Sequence, residues 1–483
     1  MAMLSPLTIS LITLGVYVLD IIVLLYIIYQ NRDPADTAFW ILVIYLLPLL
    51  GIILFFFFGR DWKAGTKKSR KELPAYEIPA KKFFPNFYKN YETFDKAFYK
   101  NNKGSWLTRL ATLDNNINTS PVFPAETIKI LPNGEVGFAA LKEDMRKSTK
   151  SIHMAFFIWE KDELTRELME IMLDRLAHKV EVRIAYDFLG SIAYGKSELR
   201  TLKKAGAKVY ADVTDINRFN YRNHRKVAII DNVIGYTGGI NIGQEYIDGG
   251  KAYPTWRDTF VRITGPAVSE LQRLFAVRWN VISKENIILK KYFPEQKYTK
   301  NAKAVQLNYS SSELYWESAR DAYMQAILNA KDKLYIMSPY FIPDQALYAA
   351  LETASLSGVD VRLIMTGWPD KKYAWWAAQT FFERLLLAGM KIHYYEAGFY
   401  HTKTLAVDDN FVSIGTTNFD VRSFTLQRED TLFIYDKETV KEHYRIYAND
   451  LTKSREFTLK DYDKLTKVQK FRNALSKLLS NLF

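Results

Sequence analysis

The sequence predicts an α/β protein: two tandem α/β sandwich domains that share one active site, preceded by a two-helix transmembrane hairpin. Three observations support this prediction. Two long apolar runs lie at the N-terminus, a His–Lys–Asp–Asn pattern occurs twice, and strand-like and helix-like segments alternate around both copies. Such alternation is typical of α/β folds. Because each half carries one copy of the pattern, a single site at their interface is the most economical arrangement.

The predicted hairpin occupies residues 1–60. Apolar runs at residues 7–29 and 37–58 are each long enough to cross a bilayer, and a short loop joins them. A second run after the first argues against a cleaved signal peptide. The second run is followed by Arg60, Lys63, Lys67, Lys68, Arg70 and Lys71. By the positive-inside rule we therefore expect a cell-membrane protein with two spans and with its catalytic domains on the cytoplasmic face.

Asp20 is a carboxylic acid within the first apolar run. Acidic residues inside a membrane are often functional. The alternative is that Asp20 is protonated and hydrogen-bonded to the partner helix. The sequence leaves both possibilities open.

Two further segments combine positive charge with apolar side chains. Residues 61–122 form a connector rich in aromatic residues and lysines, which lies either at the lipid headgroups or packed on the catalytic core. Residues 451–483 form a basic amphipathic tail, either at the membrane interface or docked on the protein. The apolar residues of this tail at helical spacing are Phe471, Leu475, Leu478, Leu479 and Leu482. The formal net charge of +13 suits an anionic partner, either lipid or nucleic acid.

The two predicted domains span residues 123–297 and 298–450, and they repeat one another. Residues 151–158 and 333–339 are similar buried-strand segments. Residues 180–184 match 359–363, and residues 205–209 match 388–392, in the same order along the chain. The repeat therefore predicts the same α/β sandwich twice.

The duplicated pattern places four residue types at fixed spacing. In both copies the Lys follows the His by two residues, the Asp by seven and the Asn by seventeen. A single His is most often an ordinary core or surface residue, but two in matched patterns favour catalysis. The two copies are His224, Lys226, Asp231 and Asn241, and His401, Lys403, Asp408 and Asn418.

These residue types suit attack on a phosphodiester. A neutral imidazole can attack phosphorus and form a covalent intermediate, while a second His protonates the leaving alcohol and later deprotonates the acceptor. A Lys two positions along a strand points to the same face as the His. We therefore expect Lys226 and Lys403 to bind non-bridging phosphate oxygens. Asn241 and Asn418 offer neutral donors to the same oxygens, where charge develops in the transition state.

Asp231 and Asp408 complete the pattern and are therefore also candidate catalytic residues. They lie at the far end of a strand from each His, however, so hydrogen bonding at the strand end is the alternative. We expect no metal and no other cofactor. The sequence has no Cys and no His-x-x-x-His pair, and a Lys beside each His would repel a cation.

The duplicated pattern resembles the phospholipase D superfamily, and its flanks resemble the bacterial cardiolipin synthases of that superfamily more closely. The likeness covers nearly the whole chain, including the N-terminal apolar pair. It is carried by residues 222–246, Trp256-Arg257-Asp258-Thr259, Ser338-Pro339-Tyr340-Phe341-Ile342-Pro343-Asp344 and residues 418–424.

The resemblance implies roles that the residues alone do not distinguish. It makes His224 the nucleophile and His401 the general acid and base. It also implies an acidic residue about thirty positions after each His that orients the imidazole. These are Asp258 for His224 and Glu429 for His401. Because the sequence around Glu429 departs from the usual pattern of the family, Asp430 is a rival for His401.

The resemblance further implies a membrane-embedded phosphatidyltransferase that acts on phosphatidylglycerol in anionic membrane lipid. It would form cardiolipin and release glycerol. One alternative is a hydrolase that forms phosphatidic acid. A nuclease is disfavoured by the membrane hairpin, so we expect no nucleic acid partner, and a non-catalytic scaffold would not need two matched patterns. The sequence does not define an oligomeric state.

Overall fold

The computed structural model describes residues 5–59, 88–191, 196–212, 221–311 and 314–478. These residues group into two compact units, an N-terminal unit and a catalytic unit that contains nearly all described residues from 88 onward. The basic residues from Arg60 to Lys71 lie outside the described residues.

The N-terminal unit is helical. Helix α1 (Pro6–Tyr29) begins at Ser5, whose side chain accepts a hydrogen bond from the backbone N–H of Thr8. It is the one helix among the described residues that is long and apolar enough to cross a membrane, with a mean hydropathy of 2.6. It is followed by α2 (Pro34–Leu46), α3 (Leu50–Leu54) and a π-helix (Phe55–Gly59).

The second apolar run does not form one continuous helix, contrary to the prediction for residues 37–58. Helix α2 ends before Pro48, and Leu49 has a positive φ of 61°. Proline has no N–H to donate and disfavours helical backbone at the preceding residue, so the helix ends there. The chain then turns back closely, because a Cβ on Gly51 would lie 2.7 Å from the Cα of Ile44. Asp20 is buried in this unit, and among the described residues its Oδ1 has no hydrogen-bond partner.

The catalytic unit contains two mixed sheets, one in each half, which confirms the predicted α/β architecture. The strands of the first half and the segment before it are β1 (Phe123–Ala125), β2 (Thr127–Leu131), β3 (Ser151–Phe156), β4 (Glu181–Asp187), β5 (Lys208–Asp212), β6 (Val227–Ile230), β7 (Ile234–Gly238), β8 (Trp256–Arg257) and β9 (Phe260–Thr264). Seven of them form a sheet in the order β2-β9-β7-β6-β3-β4-β5.

The second half repeats this plan. Its strands are β10 (Lys303–Ser310), β11 (Lys333–Met337), β12 (Phe341–Ile342), β13 (Asp360–Thr366), β14 (Lys391–Tyr395), β15 (Phe399–Tyr400), β16 (Thr404–Val407), β17 (Phe411–Gly415), β18 (Phe419–Asp420), β19 (Glu429–Ile434) and β20 (Ser454–Phe457). The sheet order is β1-β10-β19-β17-β16-β11-β13-β14-β20. In both halves a parallel set (β3-β4-β5 and β11-β13-β14) joins an antiparallel pair (β6-β7 and β16-β17). Each His pattern begins just before that antiparallel pair.

Helices cover both sheets. Those of the connector and the first half are α4 (Glu92–Asn101), α5 (Trp106–Asn118), α6 (Gly134–Lys147), α7 (Glu163–Ala177), α8 (Lys196–Lys204), α9 (Glu245–Asp248) and α10 (Val268–Ser283). The later helices are a 3₁₀ turn (Lys290–Tyr292), α11 (Ser318–Leu328), α12 (Gln345–Leu356), α13 (Lys372–Gln379), α14 (Phe382–Leu387), α15 (Val421–Thr425), α16 (Lys437–Leu451), α17 (Leu459–Asp463) and α18 (Lys467–Leu478).

The sheet pairing differs from the predicted domain limits at two points. Strand β1 was expected to open the domain at residues 123–297, but it pairs with β10 in the second sheet. Strand β20 lies in the predicted tail, yet it pairs with β14 at the other edge of the same sheet. Both segments are therefore integral to the second half.

The described part of the connector packs on the catalytic unit. Tyr88, Phe98 and Trp106 are buried, and the hydroxyl of Tyr88 donates to Glu270 Oε1 at 2.7 Å. Residues 88–118 therefore pack on the catalytic core, which was one of the two alternatives for the connector. The other residues for which a headgroup position was considered, Lys81, Lys82, Phe83, Phe84 and Phe87, lie outside the described residues.

Helix α18 of the tail docks on the protein through its polar side. Asn473 is buried and donates to Gln379 Oε1 at 2.8 Å, and the Arg472 guanidinium lies 4.2 Å from the centre of the Trp376 ring. The apolar residues point outward instead: Val468 is 77% exposed and Phe471 is 72% exposed. Leu479 and Leu482 lie outside the described residues.

Candidate active site

His224 is held by a carboxylate from the other half of the catalytic unit. Its Nδ1 lies 3.0 and 2.9 Å from the two carboxylate oxygens of Glu429. Its backbone N–H donates to the carbonyl of Arg428 at 3.0 Å. The side chain is almost fully buried, with the Phe157 ring edge-on to it. Since Nδ1 is engaged by Glu429, Nε2 is the nitrogen left for chemistry.

His401 is held in the same way from the first half. Its Nδ1 lies 2.6 Å from Asp258 Oδ2, and its backbone N–H donates to the carbonyl of Arg257 at 2.8 Å. Phe399 stacks on the imidazole with a ring-centre distance of 5.4 Å, and Trp256 packs edge-on at 5.7 Å. The second imidazole therefore also has only Nε2 available.

The predicted pairing of the histidines with their acids is therefore wrong: the two carboxylates are exchanged between halves. Glu429 holds His224, and Asp258 holds His401. Short parallel bridges explain the exchange. Strand β8 pairs with β15, and Asn223 pairs with Arg428, so the residue before each acid lies beside the residue before the His of the other half.

Asp430, the rival for His401, contacts neither imidazole. Its Oδ2 accepts a hydrogen bond from the hydroxyl of Thr237. Glu429 and Asp430 are neighbours on β19, and successive side chains on a strand point to opposite faces. Only Glu429 therefore faces His224.

Lys226 and Lys403 are buried beside the histidines, as their spacing predicted. Lys226 Nζ donates to the carbonyl of His224 at 2.6 Å, and Lys403 Nζ donates to that of His401. Lys403 also lies 3.9 Å from Asp258 Oδ2. Burial lowers the pKa of Lys226 to about 7 and that of Lys403 to about 8. An anion in the site would favour the charged form of both.

The electrostatics distinguish the two imidazoles. Burial, followed by the charges of Lys226 and Lys403, lowers the pKa of His224 well below its usual value. Burial also raises the pKa of its partner Glu429 to about 8. At the other imidazole, burial and Lys403 lower the pKa of His401 to about 4. Burial opposes ionisation of its partner Asp258, but Lys403 and His401 hold that pKa below its usual value.

These directions give the two pairs different characters. The lowered pKa of His224 keeps its imidazole neutral, which suits a nucleophile. The His401–Asp258 pair retains an ionised carboxylate 2.6 Å from the ring, which suits an imidazole that must carry a proton. His401 and Lys403 also act electrostatically on His224, so both copies of the pattern contribute to one site.

The two asparagines differ. Asn241 accepts from the backbone N–H of Ile158 at 3.2 Å and donates to the hydroxyl of Tyr246 at 2.6 Å. Asn418 is buried, and its Oδ1 has no hydrogen-bond partner among the described residues. Asn241 is thus already oriented by its own half, and phosphate binding by either amide stays a prediction.

Asp231 and Asp408 lie at strand ends away from the imidazoles. This agrees with the alternative interpretation, in which they form hydrogen bonds at the strand end. Asp231 accepts backbone N–H groups of Thr149, Lys150 and Ser151 at 2.7–2.9 Å. Asp408 accepts those of Lys331, Asp332 and Lys333 at 2.9–3.3 Å. Both have a positive φ, at 54° and 48°. The expectation that they take part in catalysis is therefore corrected: they fix the turn that follows the strand of each Lys.

Several supporting contacts were not anticipated from the sequence. Gly239 leaves room for Asp258, because a Cβ there would collide with its carboxylate. Arg257 is buried and ion-paired with Asp450 at 2.9 Å, and it donates to Thr402 Oγ1 at 3.2 Å. The Gly238-Gly239-Ile240-Asn241 segment was the available signal for Gly239, although the second copy has Thr416 at the equivalent position. No short-range pattern connects Arg257 to Asp450.

Among the described residues, no group of three or more His, Asp or Glu side chains is arranged to hold an ion. The other histidines have separate environments: for example, His153 bonds Gln272 at 3.0 Å and His443 bonds Thr404 at 2.8 Å.

Comparisons with known proteins agree with this geometry. A family model described as cardiolipin synthase, phospholipase D-like domain, matches residues 141–279 and 323–451, and one described as phospholipase D-nuclease N-terminal matches residues 18–60. The chain is 34% identical to the major cardiolipin synthase of Bacillus subtilis, over 96% of this chain and 97% of that protein. It is 36% identical to a cardiolipin synthase of Listeria monocytogenes over 99% of both chains.

A cardiolipin synthase of Staphylococcus aureus is 35% identical, over 99% of this chain and 97% of that protein. Among solved structures, phosphatidylserine synthase of Haemophilus influenzae superposes with a TM-score of 0.60 at 17% identity. That match covers 77% of this chain and 100% of the other, and it shows a shared fold.

Proposed function

Because the chain belongs to the cardiolipin synthase family of the phospholipase D superfamily, we propose a mechanism in which its two histidines act in turn on phosphatidylglycerol. The reaction transfers a phosphatidyl group from one phosphatidylglycerol to a hydroxyl of a second and releases glycerol. The observation that carries this mechanism is the exchanged pair of His–carboxylate contacts, with a buried Lys beside each His.

His224 is the nucleophile in this mechanism. Glu429 engages its Nδ1, so the lone pair on Nε2 attacks phosphorus while the bond from phosphorus to the glycerol oxygen breaks. The lowered pKa of His224 keeps the imidazole neutral and therefore able to attack. Positive charge forms on the ring as the phosphohistidine is made, and the Glu429 carboxyl group is placed to stabilise it.

His401 is the general acid and then the general base. Its Nε2 gives a proton to the departing glycerol oxygen, and it later accepts the proton of the incoming hydroxyl while the P–N bond breaks. Burial and the lysine charges lower the pKa of His401. A bound phosphodiester anion offsets those charges, and ionised Asp258 then supports the imidazolium at 2.6 Å.

Lys226 and Lys403 serve as the phosphate clamp. Their ammonium groups are buried, so they interact with an anion in a medium of low polarity, where fixed charges are most effective. We include Asn241 and Asn418 as neutral donors to the same oxygens. Of the two, Asn418 alone has an amide oxygen with no partner in the described part of the chain, so it is the freer to reorient.

Transfer to a lipid hydroxyl requires that water be kept from the intermediate. Aromatic rings around His401, namely Phe399, Trp256 and Tyr246, form an apolar wall on one side of that imidazole. Such a wall, together with an acceptor held in line, is worth several kcal/mol in favour of transfer. This supports a transferase over a hydrolase with the same histidines.

We also propose that the N-terminal unit crosses the bilayer twice and keeps the catalytic unit on the cytoplasmic face. Helix α1 is long enough alone, and the shorter apolar helices α2 and α3 with the π-helix would supply a broken second crossing. The exposed apolar side of α18, flanked by Lys467 and Lys470, would rest on anionic lipid. Cysteine-accessibility mapping at Gln30 and at Ser480 tests the topology, since modification of both from the same side contradicts it.

The experiment that tests the function uses purified protein in detergent with labelled phosphatidylglycerol as the sole phospholipid. We expect cardiolipin and free glycerol in nearly equal amounts, with phosphatidic acid minor. Added glycerol should drive the reaction backwards, because one phosphodiester is exchanged for another of similar energy. Phosphatidic acid as the main product, with no reversal by glycerol, would show a hydrolase instead.

A further inference from the structure

Gln427 lies between an arginine and the carboxylate that holds the nucleophile. It belongs to the turn between α15 and β19, two residues before Glu429. Its backbone N–H donates to the carbonyl of Arg422 at 3.2 Å, and the next residue, Arg428, donates its N–H to the carbonyl of Arg222 at 2.9 Å. The turn is therefore attached to α15 on one side and to the first half of the chain on the other, and the side chain of Gln427 starts from a fixed backbone.

The Gln427 side chain bridges Arg422 and Glu429. A guanidinium group only donates and an ionised carboxylate only accepts, so an amide between them must turn its oxygen to the arginine and its nitrogen to the carboxylate. In this orientation Arg422 Nε donates to Gln427 Oε1 at 3.1 Å, and Gln427 Nε2 donates to Glu429 Oε1 at 2.7 Å. A chain of hydrogen bonds therefore runs from Arg422 through Gln427 and Glu429 to Nδ1 of His224.

The position of one proton in this chain decides whether His224 can react. When the proton is on Nδ1, Glu429 is ionised and the lone pair on Nε2 is free to attack. When the proton is on the carboxyl group, Nδ1 accepts it in a hydrogen bond, and the neutral ring then carries its N–H at Nε2. A donor that favours ionised Glu429 therefore also favours the reactive tautomer of His224.

The other half of the catalytic unit supplies such a donor from its backbone. Asp258 accepts the N–H of the following residue, Thr259, at 2.7 Å. The equivalent N–H on β19 is that of Asp430, and it donates to Thr416 Oγ1 at 2.9 Å instead. The residue after Glu429 thus gives it no such bond, and the amide of Gln427 takes that place. Because burial raises the pKa of Glu429 to about 8, each donor to its carboxylate affects its ionisation near neutral pH.

Other charged groups also act on Glu429. Lys226, Lys403 and Arg422 favour its ionised form, and Asp420 opposes it. The remaining titratable or hydroxyl side chains that act on it are Tyr323, Thr416 and Ser423. Burial lowers the pKa of Lys226 to about 7, so its support weakens as pH rises past neutrality. The amide of Gln427 does not titrate, so its hydrogen bond persists across this range.

We propose that Gln427 is a positioning residue, which donates to Glu429 and thereby keeps His224 in the tautomer whose Nε2 attacks phosphorus. Arg422 orients the amide for this purpose. Gln427 acts through Glu429 and not on the substrate. This inference rests on the proposed function, because the tautomer of His224 affects the reaction only if His224 is the nucleophile.

The test is the rate of phosphohistidine formation, measured by rapid acid quench of the full chain in detergent with saturating labelled phosphatidylglycerol. Gln427→Met keeps the length of the side chain and loses the N–H. It should react about tenfold more slowly than the wild type near pH 6. The two rates should converge to within about twofold near pH 9, where Glu429 is ionised in both proteins. Titration of the lysines affects both proteins alike, so the ratio of the rates isolates Glu429.

A matched variant controls for the loss of an amide. Gln296 Nε2 donates to the backbone carbonyl of Asn232 at 3.0 Å and contacts neither imidazole, so Gln296→Met should match the wild type at every pH. A rate ratio for Gln427→Met that does not change with pH would overturn the proposal, because a merely structural loss acts equally at all pH values. Absence of any phosphohistidine in the wild type would instead overturn the proposed function, and this inference with it.

NMR of the full chain with isotope-labelled histidine reads the tautomer without turnover. The signals of His224 are identified by their absence from His224→Ala. The wild type should carry the ring proton on Nδ1, and Gln427→Met should shift part of the population to Nε2. A proton on Nε2 in the wild type would refute the proposal without reliance on any variant of Gln427, as would an unchanged tautomer in folded Gln427→Met.

Discussion

The exchange of carboxylates between the halves makes a prediction that separates the two chemical steps. Glu429→Gln should impair formation of the phosphohistidine, because Glu429 holds the nucleophile His224. Asp258→Asn should impair proton transfer to the leaving group, because Asp258 holds His401. If the acids served the His of their own half, these two effects would be interchanged.

The expected size follows from the contacts. Each amide variant keeps an acceptor oxygen but cannot carry the negative charge that stabilises a positive imidazole during the reaction, and a hydrogen bond to a charged group contributes about 1.5–3 kcal/mol. At about 1.4 kcal/mol for each factor of ten, either variant should reduce turnover of phosphatidylglycerol by about 10- to 100-fold. The two variants are therefore not distinguishable by turnover of the natural substrate.

A substrate with a different leaving group distinguishes them. Phosphatidyl-p-nitrophenol releases a phenolate that needs no proton, so its first step depends on the nucleophile and not on the acid. In rapid-mixing experiments, Asp258→Asn should release p-nitrophenolate in a burst. Because this step needs no proton transfer, the burst rate should lie within about threefold of the wild-type rate. Glu429→Gln should retain the loss of about 10- to 100-fold.

The controls make the result decisive. Asp430→Asn changes the neighbouring carboxylate, which bonds Thr237 and neither imidazole, and should keep the burst with both substrates. Circular dichroism of each variant checks that it is folded. A full burst from Glu429→Gln together with its loss in Asp258→Asn would refute the assignment of the acids, and a full burst from His224→Ala would reverse the roles of the histidines.

Three other predictions concern the same site and the membrane. His224→Ala and His401→Ala should each remove almost all turnover of phosphatidylglycerol, and the double variant should be little worse, since the two act as a unit; more than roughly a tenth of the activity in either single variant contradicts this. The pKa values of Lys226 and Lys403 are lowered to about 7 and 8, so the lysines lose their charge as pH rises through this range. We therefore expect kcat/KM to fall, with a larger rise in KM than fall in kcat. A flat kcat/KM from pH 6 to about 9 would exclude titrating lysines. The chain without residues 1–60 should bind anionic vesicles weakly and in a salt-sensitive way, and Phe471→Ser should reduce that binding in sedimentation assays; unchanged binding would remove α18 from the membrane contact.

Some features could be predicted because they depend on short stretches of chain. The spacing of His224 and Lys226 determines that both face one side of an extended segment, whichever fold surrounds them. The alternation of strand-like and helix-like segments likewise predicted β3, β4 and β5 and their equivalents β11, β13 and β14, and the structure adds that each set pairs in parallel. The position of Asp231 beyond the strand also indicated its hydrogen bonds to backbone N–H groups.

Other features had a local signal that the sequence interpretation did not use. Pro48 lies inside the second apolar run, and its missing N–H is sufficient reason for α2 to end at Leu46. The prediction of one span over residues 37–58 considered only the apolar composition of that run. The apolar spacing of the tail was recognised, but spacing does not determine which side of α18 contacts the protein, and the buried side proved to contain Asn473.

The sequence by itself determined which chemical groups the protein uses and how they are ordered within each half, because strand periodicity and residue spacing are local properties. Only the tertiary structure decided which carboxylate holds which imidazole. His224 and Glu429 are 205 residues apart, and His401 and Asp258 are 143 apart. Their contacts depend on the pairing of β8 with β15 and of Asn223 with Arg428, across two halves that fold on separate sheets. No spacing within one half contains that information, so the active site exists only once the halves pack together.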